Sequence, residues 1–355
     1  MADSSPLTSE GLETILANIP HLKIGIIGDL FLDRYLDLDA ALTEPSLETG
    51  LDAYQVVSVR STPGAAGTVL NNLVTLGVGQ VFPIAVLGDD GEGYELRQAL
   101  SRLAVVDACG LVLTPNRRTP TYTKPMLHEK ERTPRELNRL DIKNRRPMSE
   151  SLDTQIQGKL RELWPRIDAL VVLDQVSETD CGVLTARSRD HLAQLTPTEP
   201  NKFVLADSRE RIGLFRGVSL KPNRQEALRA AGFGSEDGTD VLERATAQLA
   251  RRAGGWVFCT DGARGILIAS PKDSDHTLRP RIPAYPVCGP IDIVGAGDST
   301  SAAIVCAMAS GASVEAAAAF GNLVASITIQ QLGTTGTATP AQVRQRFSER
   351  MKEEG

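Results

Sequence analysis

The sequence predicts an α/β protein built on one mostly parallel, doubly wound sheet. Short apolar runs recur along the chain, each run ends in polar residues, and helical segments separate the runs. Strands that alternate with helices in this way are typical of parallel sheets with helices on both faces. Such sheets bind ligands at the carboxyl ends of their strands, which is where the polar residues of these runs fall.

Six apolar runs predict the strands, because short apolar runs bounded by turn residues are typical of strands buried on both faces. They cover residues 22–29, 81–90, 169–174, 202–208, 217–223 and 255–262. Apolar residues at helical spacing predict helices over residues 68–77, 150–163, 183–195, 225–231 and 240–253. The alanine-rich run 301–320 is predicted to be packed helix and not a membrane span, because Gly311 and Glu315 interrupt it.

Two segments break the alternation of strands and helices. Residues 36–60 and 119–139 are polar, strand-like and punctuated by proline. We expect them to form a small β-rich lid inserted in a single domain of residues 1–355. The exposed edges of lid strands need a cover, so the sequence also predicts a homodimer that pairs lid to lid.

Composition excludes several classes of function. The net charge is −6 over 355 residues, and the dense basic spots at residues 117–118, 143–146 and 251–252 are short enough to be solvated surface, so no nucleic-acid partner is expected. The first residues are polar and acidic and predict no signal peptide. Five cysteines and four histidines are dispersed, which argues against a disulfide framework or a local metal cluster. We therefore expect a soluble cytoplasmic protein without a membrane partner.

The stretch "DIVGAGDSTSAAIVCAMASG", residues 292–311, predicts a phosphoryl-binding site. Gly295 and Gly297 leave their amides unobstructed, and the helix that follows adds the positive end of its dipole. Asp298 falls in the first helical turn, where we expect the dipole to keep it ionised and ready to accept a proton from a hydroxyl. Phosphoryl transfer needs chiefly an anion-binding site for the transferred group and a base for the acceptor hydroxyl. A glycine turn and an Asp cap before a core helix explain the same residues equally well.

Further segments in the same chain order resemble the PfkB, or ribokinase-like, carbohydrate kinases, and most of all their heptose-7-phosphate kinase branch. They are "GDLFLDRY" (28–35), "PGAAGTVLNNLVTLG" (63–77), "RTPTYTK" (118–124), "LNRLD" (137–141), "KPNRQE" (221–226), "TDGARG" (260–265) and "GAGD" (295–298). Each segment is short, but together they span about residues 22–337. The resemblance implies a ribokinase-like three-layer α/β/α fold with a β-rich lid. It also implies an ATP-dependent phosphotransferase acting on a hydroxyl of a sugar or sugar phosphate, with a heptose 7-phosphate-like acceptor favoured.

The resemblance also implies roles on the nucleotide side. Asp298 would be the catalytic base, and Gly295, Ala296 and Gly297 would form the anion hole. Asn223 and Glu226 would organise Mg²⁺ through water, although a helix capping box explains this pair too. Thr260, Gly262 and Gly265 would approach ATP and Asn322 would border the adenine, with an ordinary strand–turn–strand and a polar helix face as the competing interpretations. A monovalent cation is left open as a further cofactor.

On the acceptor side, the resemblance implies that Asp33 accepts hydrogen bonds from sugar hydroxyls, which a carboxylate does well. A loop aspartate paired with Arg34 is the alternative. The other acceptor-side candidates are Asp29, Gly64, Thr68, Asn72, Lys124 and Arg139. Lys124 and Arg139, like Arg118, lie near the lid and are cations suited to a substrate phosphate.

Several residues depart from the family pattern. A hydroxyl is lost at Val294, the second of two paired glycines is Ala65, and Thr68 stands where an asparagine is expected. These positions face the acceptor, so its identity stays open. A kinase for a nucleoside or a ketose, and a non-catalytic protein that senses sugars or nucleotides, remain alternatives. The sequence leaves no room for a nucleotidyltransferase module after the kinase pattern, so kinase activity alone is expected.

Overall fold

The computed structural model describes residues 6–234, 239–273 and 280–354. Within them the strands are β1 (Lys23–Gly28), β2 (Leu30–Asp39), β3 (Glu44–Pro45), β4 (Asp52–Ala53), β5 (Val56–Ala65), β6 (Gln80–Gly88), β7 (Leu111–Thr114), β8 (Thr121–His128), β9 (Arg135–Glu136), β10 (Leu140–Ile142), β11 (Ala169–Asp174), β12 (Phe203–Ser208), β13 (Ser219–Leu220), β14 (Val257–Thr260) and β15 (Ile266–Ala269). The α-helices are α1 (Ser9–Asn18), α2 (Ala66–Leu76), α3 (Gly91–Ser101), α4 (Glu150–Leu163), α5 (Ala186–Leu195), α6 (Arg224–Ala231), α7 (Thr239–Ala253), α8 (Ala296–Ala309), α9 (Val314–Thr328) and α10 (Pro340–Glu354).

The main sheet has the strand order β15-β14-β13-β12-β11-β1-β6-β7. Its neighbouring strands are parallel, except that β15 runs antiparallel to β14. The predicted mostly parallel sheet is thus confirmed, and each of the six predicted strands lies in it. The strands that the sequence did not predict, β7 and β15, lie at the two edges of the sheet and have four residues each.

Helices cover both faces of this sheet. Alternate residues of β11 point to opposite faces, so Val171 and Leu173 join one hydrophobic cluster, while Leu170 and Val172 join the other. The first cluster includes residues of α1, α2, α8 and α9, and the second includes residues of α4 and α7. The arrangement is the predicted three-layer α/β/α sandwich.

The alanine-rich run predicted as packed helix forms two helices, α8 and α9. Gly311 ends the first with a φ of +83°, and the side chain of Ser313 caps the second by accepting from the Ala316 amide. Glycine is the residue that adopts such a φ at little cost. In the part of the chain that the structure describes, neither these helices nor any other is long and apolar enough to cross a membrane.

The lid is a separate sheet of order β10-β8-β2-β5, with β9 paired to β8. It is wider than the sequence predicted, because β2 begins at Leu30, directly after β1, and β10 extends to Ile142. The predicted limits, 36–60 and 119–139, were therefore wrong at both ends. The residues at the start of β2 are apolar and buried, so their sequence resembles a continuation of the core strand. The single domain over residues 1–355 stays a prediction.

Candidate active site

The amino-terminal end of α8 lies at the carboxyl edge of the main sheet. Gly295 is its N-cap with a φ of +81°, and the Asp292 carboxylate shapes the turn by accepting from the amides of Val294 at 3.0 Å and Gly333 at 3.1 Å. The amides of the first helical turn have no acceptor inside the helix. The predicted anion-binding residues Gly295, Ala296 and Gly297 therefore form a turn and helix start of the kind that binds phosphoryl groups.

Asp298 lies in the first turn of α8 and is partly buried. Burial, followed by the negative charge of Asp207, raises its pKa to about 7, against the opposing charges of Lys221 and Arg209. This shift opposes the predicted effect of the helix dipole, because loss of hydration disfavours the charged form. A carboxylate with a pKa near neutrality is well suited to accept a proton from a hydroxyl.

A buried ion pair beside this helix was not predicted from the sequence. Lys221, which follows β13, binds Asp207 at the end of β12 with 2.9 Å between Nζ and Oδ2. Asp207 Oδ2 also accepts from Ser301 Oγ of α8 at 3.0 Å. A sequence signal was present, since both residues end apolar runs, but the pairing depends on the parallel alignment of β12 and β13.

The predicted magnesium pair, Asn223 and Glu226, forms a capping box at the start of α6. Glu226 donates its amide to Asn223 Oδ1 at 2.9 Å, and Glu226 Oε2 accepts from the Asn223 amide at 2.8 Å. Burial and the charge of Asp207 raise the pKa of Glu226. Three carboxylates that influence one another, Asp207, Glu226 and Asp298, thus surround one ammonium, an excess of negative charge that fits a divalent cation.

Within the described ranges, no group of three or more histidine, cysteine, aspartate or glutamate side chains is arranged to hold a metal ion alone. This arrangement agrees with Mg²⁺ chemistry, because Mg²⁺ keeps several waters and takes few protein ligands beside substrate phosphates.

The segment predicted to approach ATP lies next to this capping box. The Thr260 amide donates to Pro222 O at 2.9 Å, and β14 and β15 form an antiparallel pair around the turn. Gly262 has a φ of +55°, and Gly265 has a φ of +89° with no room for a side chain, since a Cβ would lie 2.0 Å from Ile282 O. The strand–turn–strand interpretation thus describes the local structure, and the turn is also adjacent to the residues proposed for magnesium.

Asn322, predicted to border the adenine, is buried in α9. Its Nδ2 donates to the carbonyls of Ile282 at 3.1 Å and Pro283 at 3.0 Å. The side chain therefore fixes the strand that packs on the turn at Gly265, and its amide group is already used.

Two acceptor-side candidates meet on the inner face of the lid. Asp33 Oδ2 binds Lys124 Nζ at 3.0 Å, and Lys124 also donates to the Tyr35 hydroxyl at 3.2 Å. Gly64 lies directly against this carboxylate, because a Cβ there would be 2.6 Å from Asp33 Oδ1. Ala65, the departure from the paired glycines, has a φ of +53°, which strains a residue that carries a side chain. Asp33 is thus paired with Lys124; the alternative pairing with Arg34 is wrong, because Arg34 binds Glu95.

Three other acceptor-side candidates, Asp29, Thr68 and Asn72, are buried. Asp29 is buried and accepts from the amides of Val183, Gln175 and Val176 at 2.7, 3.1 and 3.3 Å, and burial raises its pKa to about 6. Asn72 is fully buried in α2, where its Nδ2 donates to the carbonyl of Thr68, itself buried. The structure places these three side chains in the scaffold, so it gives no support for direct contacts of Asn72 and Thr68 with an acceptor.

The remaining lid cations differ in position. Arg139 binds Asp141 through two hydrogen bonds of 2.7 and 2.9 Å and stacks over the Tyr122 ring at 4.0 Å. Arg118 forms ion pairs with Asp90 and Glu92 instead. Only Arg139 of these two contacts the cleft described next, through Tyr122.

A cleft of about 190 Å³ lies between the sheet edge and the lid. Its lining includes Asp29, Tyr122, and three cations, Arg117, Lys143 and Arg209. Arg117 donates to the carbonyls of Arg146 and Cys181. Arg117 and Lys143 belong to basic spots that the sequence analysis assigned to solvated surface, and that assignment was wrong for them. Asp298 is not part of this lining. Of the lining residues, Arg209 contributes a charge that lowers the pKa of Asp298.

Residues 214–342, which hold the capping box, the nucleotide turn and the start of α8, match the profile described as pfkB family carbohydrate kinase. This part of the chain is therefore similar to the pfkB carbohydrate kinases. The predicted resemblance is confirmed at this level.

Curated relatives are similar over nearly the whole chain. The bifunctional protein HldE of Trichlorobacter lovleyi is 29% identical over 343 residues, which is 94% of this chain and 64% of the relative. The protein of the same name from Desulfatibacillum aliphaticivorans is 28% identical over 314 residues, covering 88% of this chain and 60% of the relative. The chain thus spans less than two thirds of the length of these relatives.

Solved structures share the fold. A ribokinase of Arabidopsis thaliana complexed with ribose and ATP superposes with a TM-score of 0.63 at 15% identity, over 92% of this chain and 98% of that one. Phosphofructokinase-2 of Escherichia coli in complex with potassium superposes with a TM-score of 0.67 at 17% identity, over 92% of this chain and 99% of that one. These likenesses confirm the ribokinase-like fold predicted from the sequence.

Proposed function

We propose that the protein is an ATP-dependent kinase that phosphorylates a hydroxyl of a sugar or sugar phosphate, with a heptose 7-phosphate-like acceptor favoured. One observation carries the proposal: a carboxylate with a pKa of about 7, Asp298, lies in the same helical turn as the exposed backbone of Gly297, whereas the Ala296 amide already donates to Ile293 O at 3.1 Å. A base and an anion hole in one turn suit phosphoryl transfer to an alcohol. The family match and the similarity to HldE proteins support it.

The chemistry follows from these positions. Asp298 accepts the proton of the acceptor hydroxyl as the new oxygen–phosphorus bond forms and the bond between the β,γ-bridging oxygen and the γ-phosphorus breaks. The amides at the start of α8 bind the oxygens of the transferred group, where charge develops. Glu226 and Asn223 would hold Mg²⁺ through water, and the ion would neutralise charge on the ATP phosphates. A requirement for a monovalent cation stays a prediction, which assays in potassium and sodium buffers will test.

A phosphorylated acceptor is favoured by the charge of the cleft. Arg117, Lys143 and Arg209 line it, and no carboxylate in the described part of the chain forms an ion pair with any of the three. Arg117 and Lys143 are partly buried, and partly buried cations without a counter-ion favour an anionic ligand. A nucleoside or an unphosphorylated ketose offers no such group.

Assays of ATP consumption with a panel of neutral sugars, sugar monophosphates and nucleosides test the proposal. We expect turnover with a sugar phosphate, and loss of it in Asp298→Asn. Lys143→Met should raise the KM of the phosphorylated acceptor by about 10-fold, as expected for a lost charge-assisted hydrogen bond, with the KM of ATP unchanged. Lys159→Met is the matched control, because Lys159 forms a surface pair with Glu162. Turnover of nucleosides alone, or of no acceptor, would overturn the proposal in favour of the alternatives named above.

We further propose that the protein forms a homodimer through its lid in the cytoplasm. The edge strand β5 exposes Val57 and Val59, and the adjoining segment exposes Leu47 and Leu51. Exposed apolar groups on an open sheet edge are typical of surfaces that pair with another chain. All five cysteines are free, as expected in a reducing compartment. Sedimentation at working concentration tests the dimer, and a monomer would contradict it.

A further inference from the structure

The ammonium of Lys221 lies directly behind the predicted anion hole. An ideal Cβ built on Gly297 would be 3.4 Å from Lys221 Nζ, so a side chain at residue 297 would contact the ammonium. The backbone of Gly297 itself is exposed, whereas Lys221 is only 3% exposed. Because residue 297 has no side chain, nothing at this position occupies the space next to the buried ammonium.

Asp207 fixes the position of this ammonium. Its Oδ2 binds Lys221 Nζ at 2.9 Å and Ser301 Oγ at 3.0 Å, which ties the ends of β12 and β13 to α8. An ammonium has three protons to donate, and within the described ranges Asp207 is the only side chain that forms an ion pair with it. Buried ion pairs contribute little net stability compared with apolar residues of similar size, so stability alone gives a weak reason for this pair.

We propose that Lys221 is a further catalytic residue, which donates a hydrogen bond to the phosphoryl group during transfer, and that Asp207 is its positioning residue. The inference rests on the proposed kinase function. Charge accumulates on the oxygens of the transferred group, and a full positive charge beside the helix amides stabilises it more than the amides alone. Lys221 stays protonated throughout, since the proton of the acceptor passes to Asp298.

A purely structural role for Lys221 makes different predictions. If the role were purely structural, Lys221→Met would lower stability and all activities together. Both losses would then recover when Asp207→Asn also removes the unpaired charge. A contact with the transferred phosphoryl group distinguishes ATP from ADP, because only ATP carries that group. The test therefore compares Lys221→Met, the double variant Lys221→Met/Asp207→Asn, and the surface control Lys159→Met.

The measurements are kcat, thermal stability, and the affinities for Mg·ATP and Mg·ADP by calorimetry without an acceptor. We expect Lys221→Met to lower kcat by about 100-fold, the usual effect of removing one donor to a developing charge. It should weaken ATP binding by about 10-fold and ADP binding by less than about 2-fold. The double variant should regain stability but not kcat.

Wild-type kcat in Lys221→Met, equal losses for ATP and ADP, or recovery of kcat in the double variant would each overturn the assignment. Failure of the kinase proposal is distinguishable: it would appear as a wild-type protein that neither binds ATP nor consumes it with any acceptor of the panel.

Discussion

Replacing the catalytic carboxylate should make the protein more stable while it abolishes phosphoryl transfer. Burial and Asp207 raise the pKa of Asp298 from an ordinary value of 3.8 to about 7. The ionised carboxylate therefore opposes folding. The opposition is absent below pH 3.8, grows as the pH rises, and is complete above about pH 7. Asp298→Asn removes it.

The expected gain follows from the difference between the two pKa values. At about 1.36 kcal/mol for each pKa unit, the difference corresponds to about 4 kcal/mol. Solvent screens this partly exposed side chain, so we expect about 2 kcal/mol in practice. For a chain of this size such a change raises Tm by about 4 °C.

Thermal unfolding of the wild type and of Asp298→Asn at several pH values between 4 and 8 measures the effect. The two proteins should unfold at similar temperatures at pH 4, and the variant should be the more stable one at pH 8. Asp292→Asn is the matched control, because it makes the same chemical change in the same segment, where both carboxylate oxygens accept from backbone amides. A variant that is less stable than the wild type at pH 8, or a gain that does not depend on pH, would refute the reasoning.

Two other predictions concern the site. The kcat/KM of the wild type should rise with pH through an apparent pKa near 7, because Asp298 must lose its proton to act as a base. Asp207→Asn should move this rise to lower pH, since the charge of Asp207 raises the pKa of Asp298. A pH profile that does not move would contradict the coupling between the two carboxylates. Gly64→Ala should displace the Asp33 carboxylate and raise the KM of the acceptor by about 10-fold. Little stability should be lost, because only the end of the Asp33 side chain must move. Gly158→Ala, in an open helical position, is the control, and an unchanged KM in Gly64→Ala would show that Asp33 does not bind the acceptor.

The active-site chemistry is shared between groups of very different exposure. Asp298 is partly buried and the backbone of Gly297 is exposed, whereas Lys221 and Asp207 are buried in the scaffold. Buried charges of opposite sign fix one another's positions without solvent reorganisation, which is the arrangement that electrostatic catalysis requires.

Much of the fold could be predicted from the sequence because its signals are local. The apolar run of β11 and the capped helix α4 match their predicted bounds exactly in residues 169–174 and 150–163. The turn at Gly295 and the position of Asp298 in the first turn of α8 were predicted for the same reason, since glycines and helix caps act within a few residues.

Only the tertiary structure decided the charges of the site. Lys221, Asp207 and Asp298 lie on three elements far apart in the sequence, and the parallel alignment of β12 and β13 under α8 brings them together. Their burial sets the pKa of Asp298, and burial is a property of the packed chain that no local pattern encodes. The same holds for Asn72 and Asp29, whose polar side chains suggested a ligand in the sequence but satisfy backbone groups inside the fold. The sequence thus determined which segments fold into strands and helices, whereas long-range packing decided which side chains meet, lose water and change their affinity for protons.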